Sequence, residues 1–281
     1  MTKLQACFLL SAAALLVVSP GLGQTSSRPS TFVGRYQARV SKTQAEQPHW
    51  ITPLVLVTPR LEQEVRTDFV HQYDQKAYGM WTYDNGKGLE LIPARRVELL
   101  FNLPPFLAHT HPGVKDGFGD VSFVMKFRAF SRNEESGNAI VTAFLGASVP
   151  TGKNGNGGCC AVLTPTLAMG KGFRRFDYET TAGGTLPVSN AAKLGHTIQW
   201  NNVAQYHLGR FLWPEIESNS SFYKGGTNDG KIQSFVTPGL VLGRFPLHNR
   251  VGVTLGAGEQ IAVTHFHLYN HAFVLTARLP F

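Results

Sequence analysis

The sequence has little with which to staple or chelate itself. Three cysteines occur in 281 residues, and two of them, Cys159 and Cys160, are neighbours. Adjacent thiols cannot tie distant segments, so a disulfide framework is excluded, as is a Cys-x-x-Cys zinc site. The pair either closes into a vicinal disulfide or stays as loop thiols, and no catalytic role is expected of it. Charged residues are few, at 16% against a usual share near ~25%, which suits a surface that partly faces lipid. Beyond the leader no stretch approaches the ~18 consecutive apolar residues of a spanning helix. No G-x-S-x-G nucleophile elbow occurs, and residues 152–155 have neither the spacing nor the following helix of a phosphate loop. Hydrolase and nucleotide chemistry therefore lack their usual marks, and no cofactor is implied.

The formal charge of +8 raises the question of nucleic acid. The basic residues, however, are spread singly, as Lys126, Arg128, Arg210, Arg244, Arg250 and Arg278, with no basic helix. No nucleic-acid partner is expected; lipid headgroups or a polar lumen suit the pattern better. Residues 1–23 read as a secretory signal peptide, with Lys3 ahead of an apolar run at 7–18, Pro20 as a breaker and a cut before Gln24.

What the chain has in quantity is alternation of period two. The final stretch places Phe273, Leu275, Ala277, Leu279 and Phe281 on one face and Ala272, Val274, Thr276, Arg278 and Pro280 on the other. Residues 251–263 alternate most cleanly: Val251, Val253, Leu255, Ala257, Ile261 and Val263 oppose Arg250, Gly252, Thr254, Gly256, Gly258 and Gln260. Similar patterns occupy 62–72, 97–103, 120–129 and 139–149. Further strands are expected near 162–170, 175–186, 196–208, 211–223 and 234–245, and a first one at 31–41. Residues 50–57, broken by Pro53, are either a strand or a segment tucked against a barrel opening. One face is greasy; the other is small and polar, rich in Gly, Ser and Thr. A water-soluble sandwich turns a bulky charged face outward, whereas a membrane barrel encloses the small polar one. The strands run to ~10 residues, the length of a tilted crossing. Read back from the C-terminus, connections alternate between short and long, the long ones external. The expected fold is all-β: an up-and-down antiparallel transmembrane barrel of about twelve strands over residues 61–281. Residues 24–60 form a periplasmic segment, a plug or a first strand.

Residues 117–128, G-F-G-D-V-S-F-V-M-K-F-R, resemble a strand of the outer-membrane barrels known as transporters of the meta-pathway of phenol degradation. V-P-T-G at 149–152, T-P-T-L-A-M-G-K-G at 164–172 and V-T-P-G-L-V-L-G-R-F at 236–245 look like further blocks of that family. The resemblance spans residues 61–281. It implies a bacterial outer-membrane barrel that passes small, often aromatic or hydrophobic, compounds.

Function is therefore sought in the lumen. Glu98, Asp120, Lys126, Arg128, Arg244, Arg250, Gln260 and Arg278 fall on inward faces, where opposed charges shape a polar constriction. The competing reading is paired charges that pack a narrow barrel without permeation. Trp81, Tyr83, Trp200, Tyr206, Trp213, Tyr223 and Tyr269 are either interfacial girdles or core residues. Expected partners are outer-membrane lipids, small hydrophobic or aromatic solutes and, through the strand ending at Phe281, the barrel-assembly machinery. His265, His267 and His271, with His109 and His111, have spacing suited to a metal but no companion Cys or carboxylate. Ser218, Ser220 and Ser221 raise a lipid hydrolase without a positioned acid. Neither is adopted: the chain is expected to be a passive channel, not an enzyme.

Overall fold

The computed structural model describes residues 31–281, Gly86 excepted. The expected signal peptide lies outside the described residues. A helix, α1 (Phe32–Ala45), comes first. An extended stretch at 46–63 without regular structure follows. The remainder is strand: β1 (Glu64–Tyr73), β2 (Gly79–Tyr83), β3 (Gly88–Ala94), β4 (Val97–Asn102), β5 (Phe106–His109), β6 (Gly117–Phe118), β7 (Val121–Arg132) and β8 (Ala139–Val149). Then come β9 (Val162–Phe173), β10 (Phe176–Pro187), β11 (His196–Tyr206), β12 (Leu212–Lys224), β13 (Ile232–His248), β14 (Val251–Ala262) and β15 (His271–Pro280). Neighbours pair antiparallel, and β15 pairs with β1 from Glu64↔Pro280 to Tyr73↔His271. The sheet thus closes on itself and has no edge.

Fifteen strands make twelve staves. β2 and β3 both pair with β1, at Phe69↔Tyr83 and Val65↔Leu89, and are two halves of one stave broken at residues 84–87. β4 and β5 form the next, broken at 103–105, and β6 and β7 the one after, broken at 119–120. Pro104 and Pro105 have no amide hydrogen for a ladder, which accounts for the second break. The expected count of twelve therefore stands, but with a different partition. The pattern at 97–103 is the second arm of a hairpin that turns at 95–96 and has β3 as its first arm, and β2 lies within residues 73–88, where no strand was expected.

The expected first strand at 31–41 is instead α1. Thr31 caps it, its hydroxyl accepting from Gly34 N at 3.1 Å, which satisfies one orphan amide of the first turn. Tyr36 and Val40 belong to both periods, two and four, so alternation alone did not discriminate. The carbonyls that end the helix are taken up by the wall: Arg128 Nη1 donates to Thr43 O at 2.7 Å and Ser131 Oγ to Glu46 O at 2.7 Å.

The cylinder is reversed relative to a water-soluble protein. Its outer face carries exposed Phe123, Met125, Phe127, Leu145, Leu167, Met169, Ile198, Leu255, Phe273 and Leu279. Its inner face carries buried Glu98, Lys126, Asp177, Glu179, Glu215, Glu217 and Arg278. No described helix is long and apolar enough to cross a membrane, which says nothing about a barrel. Connections at the end carrying Phe281, here the lower end, are short, two residues at 95–96, 174–175 and 249–250; the upper ones reach twelve at 150–161. Trp200 and Tyr206 sit exposed on the outer face. Trp213 and Tyr269 do not: Trp213 is buried and stacks on His207 with ring centroids 4.0 Å apart, and Tyr269 stacks on buried Phe235 at 4.4 Å.

Candidate functional site

The lumen is occupied. Residues 46–63 thread it, and most of them are buried, with Leu54 and Leu61 at 0% exposure. Trp50 and Leu54 pack with Ile140, Trp213 and Val241 of the wall. The small inner face of β13 and β14 is what admits Leu54: a Cβ at Gly239, Gly256 or Gly258 would collide with its methyl groups, at 2.5 Å for Gly256. Gly170 and Gly172 leave room for the Trp50 ring in the same way. A face read as lining a hollow is thus in part a socket for apolar side chains.

The polar part of the wall grips the inserted segment by its main chain. Glu217 accepts from Val55 N and Leu56 N, each at 2.7 Å, and Glu215 from Leu54 N at 3.0 Å. Arg66 donates to Leu54 O, and Arg278 to Thr52 O and Pro53 O. Thr142 Oγ1 donates to Pro59 O at 2.6 Å and Lys126 Nζ to Arg60 O at 3.2 Å. An extended chain held in a barrel cannot pair its amides and carbonyls with itself, and each unmet group would cost ~1–3 kcal/mol. Charged side chains supply the missing partners, and ion pairs among them offset their own burial: Lys126–Glu98 at 2.9 Å, Arg66–Asp68 at 2.8 Å and Arg60–Glu62 at 3.1 Å.

The sequence-derived residues divide into four groups. Glu98, Lys126, Arg128 and Arg278 point inward, are buried and meet the N-terminal segment; Glu98 accepts from Glu62 N. Gln260 is buried higher up, donating to Asn219 Oδ1 at 3.2 Å and accepting from Tyr269 Oη. Arg244 and Arg250 lie at the lower mouth around a cavity of about 360 Å³. Arg250 donates from Nη1 to Gln37 O at 3.2 Å and to Ser41 Oγ, so it holds α1. Asp120 is elsewhere: its carboxylate accepts from Gly152 N at 2.8 Å and Gly158 N at 2.7 Å, organising the upper loop.

Alternation alone did not single out Arg66, Asp68, Asp177, Glu179, Glu215 and Glu217, although each sits at a period-two position of a strand, as Glu98 does. Among the described residues, nine carboxylates are buried (Glu62, Glu64, Asp68, Glu90, Glu98, Asp177, Glu179, Glu215 and Glu217) against five cations (Arg60, Arg66, Lys126, Arg128 and Arg278). The chain is basic, yet its interior is acidic.

No three metal-binding side chains converge among the described residues. His267 bonds Thr264 O at 2.8 Å and Asn270 Oδ1 at 2.9 Å, His271 bonds Glu259 at 3.2 Å, and His109 bonds Asn156 at 2.6 Å. Ser218 accepts from Asn202 at 3.2 Å and Ser220 shares a hydrogen bond with Ser234 at 2.9 Å, so neither is set against a histidine. At the lower rim His49 Nδ1 lies 2.7 Å from Glu134. Burial raises the Glu134 pKa, but the His49 amide and ring outweigh it and leave the carboxyl below its usual range.

No protein-family model matches the sequence, nor does any curated protein. Among solved structures, the COG4313 outer membrane channel from Pseudomonas putida F1 superposes with a TM-score of 0.60 at 12% identity, covering 83% of this chain and 100% of that one. The NanC porin superposes with a TM-score of 0.52 at 9% identity, covering 78% and 98%. At such identities the likeness concerns the fold, and it is the closed twelve-stranded antiparallel barrel that the chain shares with them.

Proposed function

We propose that this chain is a bacterial outer-membrane channel for passive passage of small hydrophobic or aromatic compounds, described here with its lumen filled by residues 46–63. The observation that carries the membrane reading is the reversal of polarity: apolar side chains cover the outside while charged ones are enclosed, which a water-soluble domain has no means of stabilising. The passage reading draws on the outer membrane channel and the porin that share the fold, and on the resemblance of residues 61–281 to the phenol meta-pathway transporters. Glu98, Lys126 and Arg278 would line the path once the segment withdraws, and the excess of buried carboxylates would favour neutral or cationic solutes over anions. Folding would use the barrel-assembly machinery through the strand ending at Phe281.

A second reading is a non-conducting structural barrel, favoured by the packing of Trp50 and Leu54 within the lumen. Single-channel recording of the full-length protein in planar bilayers, with uptake of aromatic and sugar solutes into liposomes, separates the two. Discrete conductance steps with uptake support the channel; a flat trace with no uptake over the full voltage range overturns it.

A further inference from the structure

Cys159 and Cys160 sit in the upper loop between β8 and β9. Their sulfurs are 3.3 Å apart. The loop below them is fixed, because Gly158 N donates to Asp120 at 2.7 Å. The neighbouring loop between β10 and β11 fixes them from the side: Cys160 Sγ donates to Ser189 O at 3.3 Å, Asn190 Nδ2 donates to Cys159 Sγ at 3.7 Å, and Val188 N donates to Ala161 O at 2.9 Å. Cys159 is exposed and Cys160 buried. Two sulfurs are thus converged by a second loop, one open to solvent and one behind it.

The donor set selects the ligand. Zinc needs four protein donors or three and a water, and among the described residues no third metal-binding side chain joins the pair. A mercuric ion prefers its two thiolates on opposite sides, farther apart than these. Trivalent arsenic bonds sulfur at nearly right angles, takes two thiolates and keeps one substituent of its own, and so spans sulfurs that almost touch.

We propose that Cys159 and Cys160 form a chelating site for monosubstituted trivalent arsenicals. In the reaction of R–As=O with the two thiols, two As–S bonds form and both S–H bonds break. The two protons leave with the oxygen as water, and arsenic stays trivalent, so no oxidant is needed. Cys159 attacks first, since it is the exposed member of the pair, the Asn190 amide donates to its sulfur, and the thiolate is the nucleophile. Cys160 then closes the ring, which breaks its bond to Ser189 O and loosens the link between the two loops.

The test uses full-length protein in detergent carrying Cys7→Ser, so that the pair holds the remaining thiols. After reduction and removal of the reductant, two thiols are titrated with Ellman's reagent, phenylarsine oxide is added, and the intact mass is measured after washing. The expected result is two thiols before and none after, with one phenylarsenic group per chain that 1,2-ethanedithiol removes. Cys159→Ser and Cys160→Ser, each checked for heat-modifiable migration on gels, are expected to retain the group about a hundredfold less well, the advantage of a second, intramolecular bond. Fewer than two titratable thiols, no adduct surviving the wash, or equal retention by the single-cysteine variants would each overturn the proposal.

Discussion

Replacing Glu217 by Ala tests whether the wall holds the inserted segment by its backbone. The carboxylate is 1% exposed and bonds two consecutive amides, Val55 N and Leu56 N, at 2.7 Å each. Removing the acceptor leaves two buried amides unmet at ~1–3 kcal/mol apiece, so the variant weakens seating by ~2–6 kcal/mol. At ~1.4 kcal/mol per factor of ten, the withdrawn-to-seated ratio rises about thirtyfold to ten-thousandfold, the lower end applying if water enters the vacated space. Arg60 lies within the segment, buried at 7%, and tryptic cleavage after it reports withdrawal when opening is fast relative to cutting. The expected outcome is cleavage at Arg60–Leu61 faster by that ratio, with more frequent conductance bursts in planar bilayers. Glu217→Gln, which keeps one carbonyl acceptor, should fall between. A folded E217A barrel cleaved and conducting like the parent would refute the reasoning.

Three further outcomes follow from the same geometry. Glu98→Gln strips a buried partner from Lys126 and should lower stability by ~3–5 kcal/mol, read from the urea midpoint in detergent; adding Lys126→Met should restore most of it, and a midpoint unmoved by E98Q counts against the ion pair. Gly256→Val fills the Leu54 socket and should raise Arg60 cleavage while costing ~1–3 kcal/mol in overpacking, whereas Leu255→Val, next to it on the exposed outer face, should leave cleavage unchanged. The Glu134 carboxyl is held below its usual range in the fold, so its contribution is present above the unfolded value near ~4.3 and is lost as pH falls through the lower folded value. Because His49 and Glu134 are both half-exposed, the effect is small; it should appear as a change in Trp50 fluorescence below about pH 4 that Glu134→Gln abolishes and that His49→Ala, which keeps the amide donor, only reduces.

The barrel was legible because a membrane strand writes its two faces at alternate positions, and 251–263 and 272–281 do so with few exceptions. The breaks in the second to fourth staves were partly legible, since Pro104 and Pro105 forbid a continuous ladder. The helix was not, because Tyr36 and Val40 satisfy both candidate periods and the deciding contacts, Arg128 and Ser131 at its end, come from 85 residues away. The inserted segment left the weakest trace. Its burial depends on distant carboxylates and arginines whose partners are amides and carbonyls, groups every residue possesses. Among the site residues, Asp120 misled because a carboxylate flanking a strand serves a loop as readily as a lumen.

Recognition through the peptide unit has an evolutionary corollary. A clasp that reads amides and carbonyls exerts little selection on the letters of the strand it clasps, save where Trp50 and Leu54 meet glycines, where Leu61 packs on Val40 and Ile92, and where Gln47, Thr58, Arg60 and Glu62 bond through their side chains. Descendants could therefore rewrite the other positions of 46–63 and keep the same architecture, while alignment of that portion would decay first. Lineages of this barrel should be traced by the spacing of the acidic and basic wall positions rather than by the thread they surround.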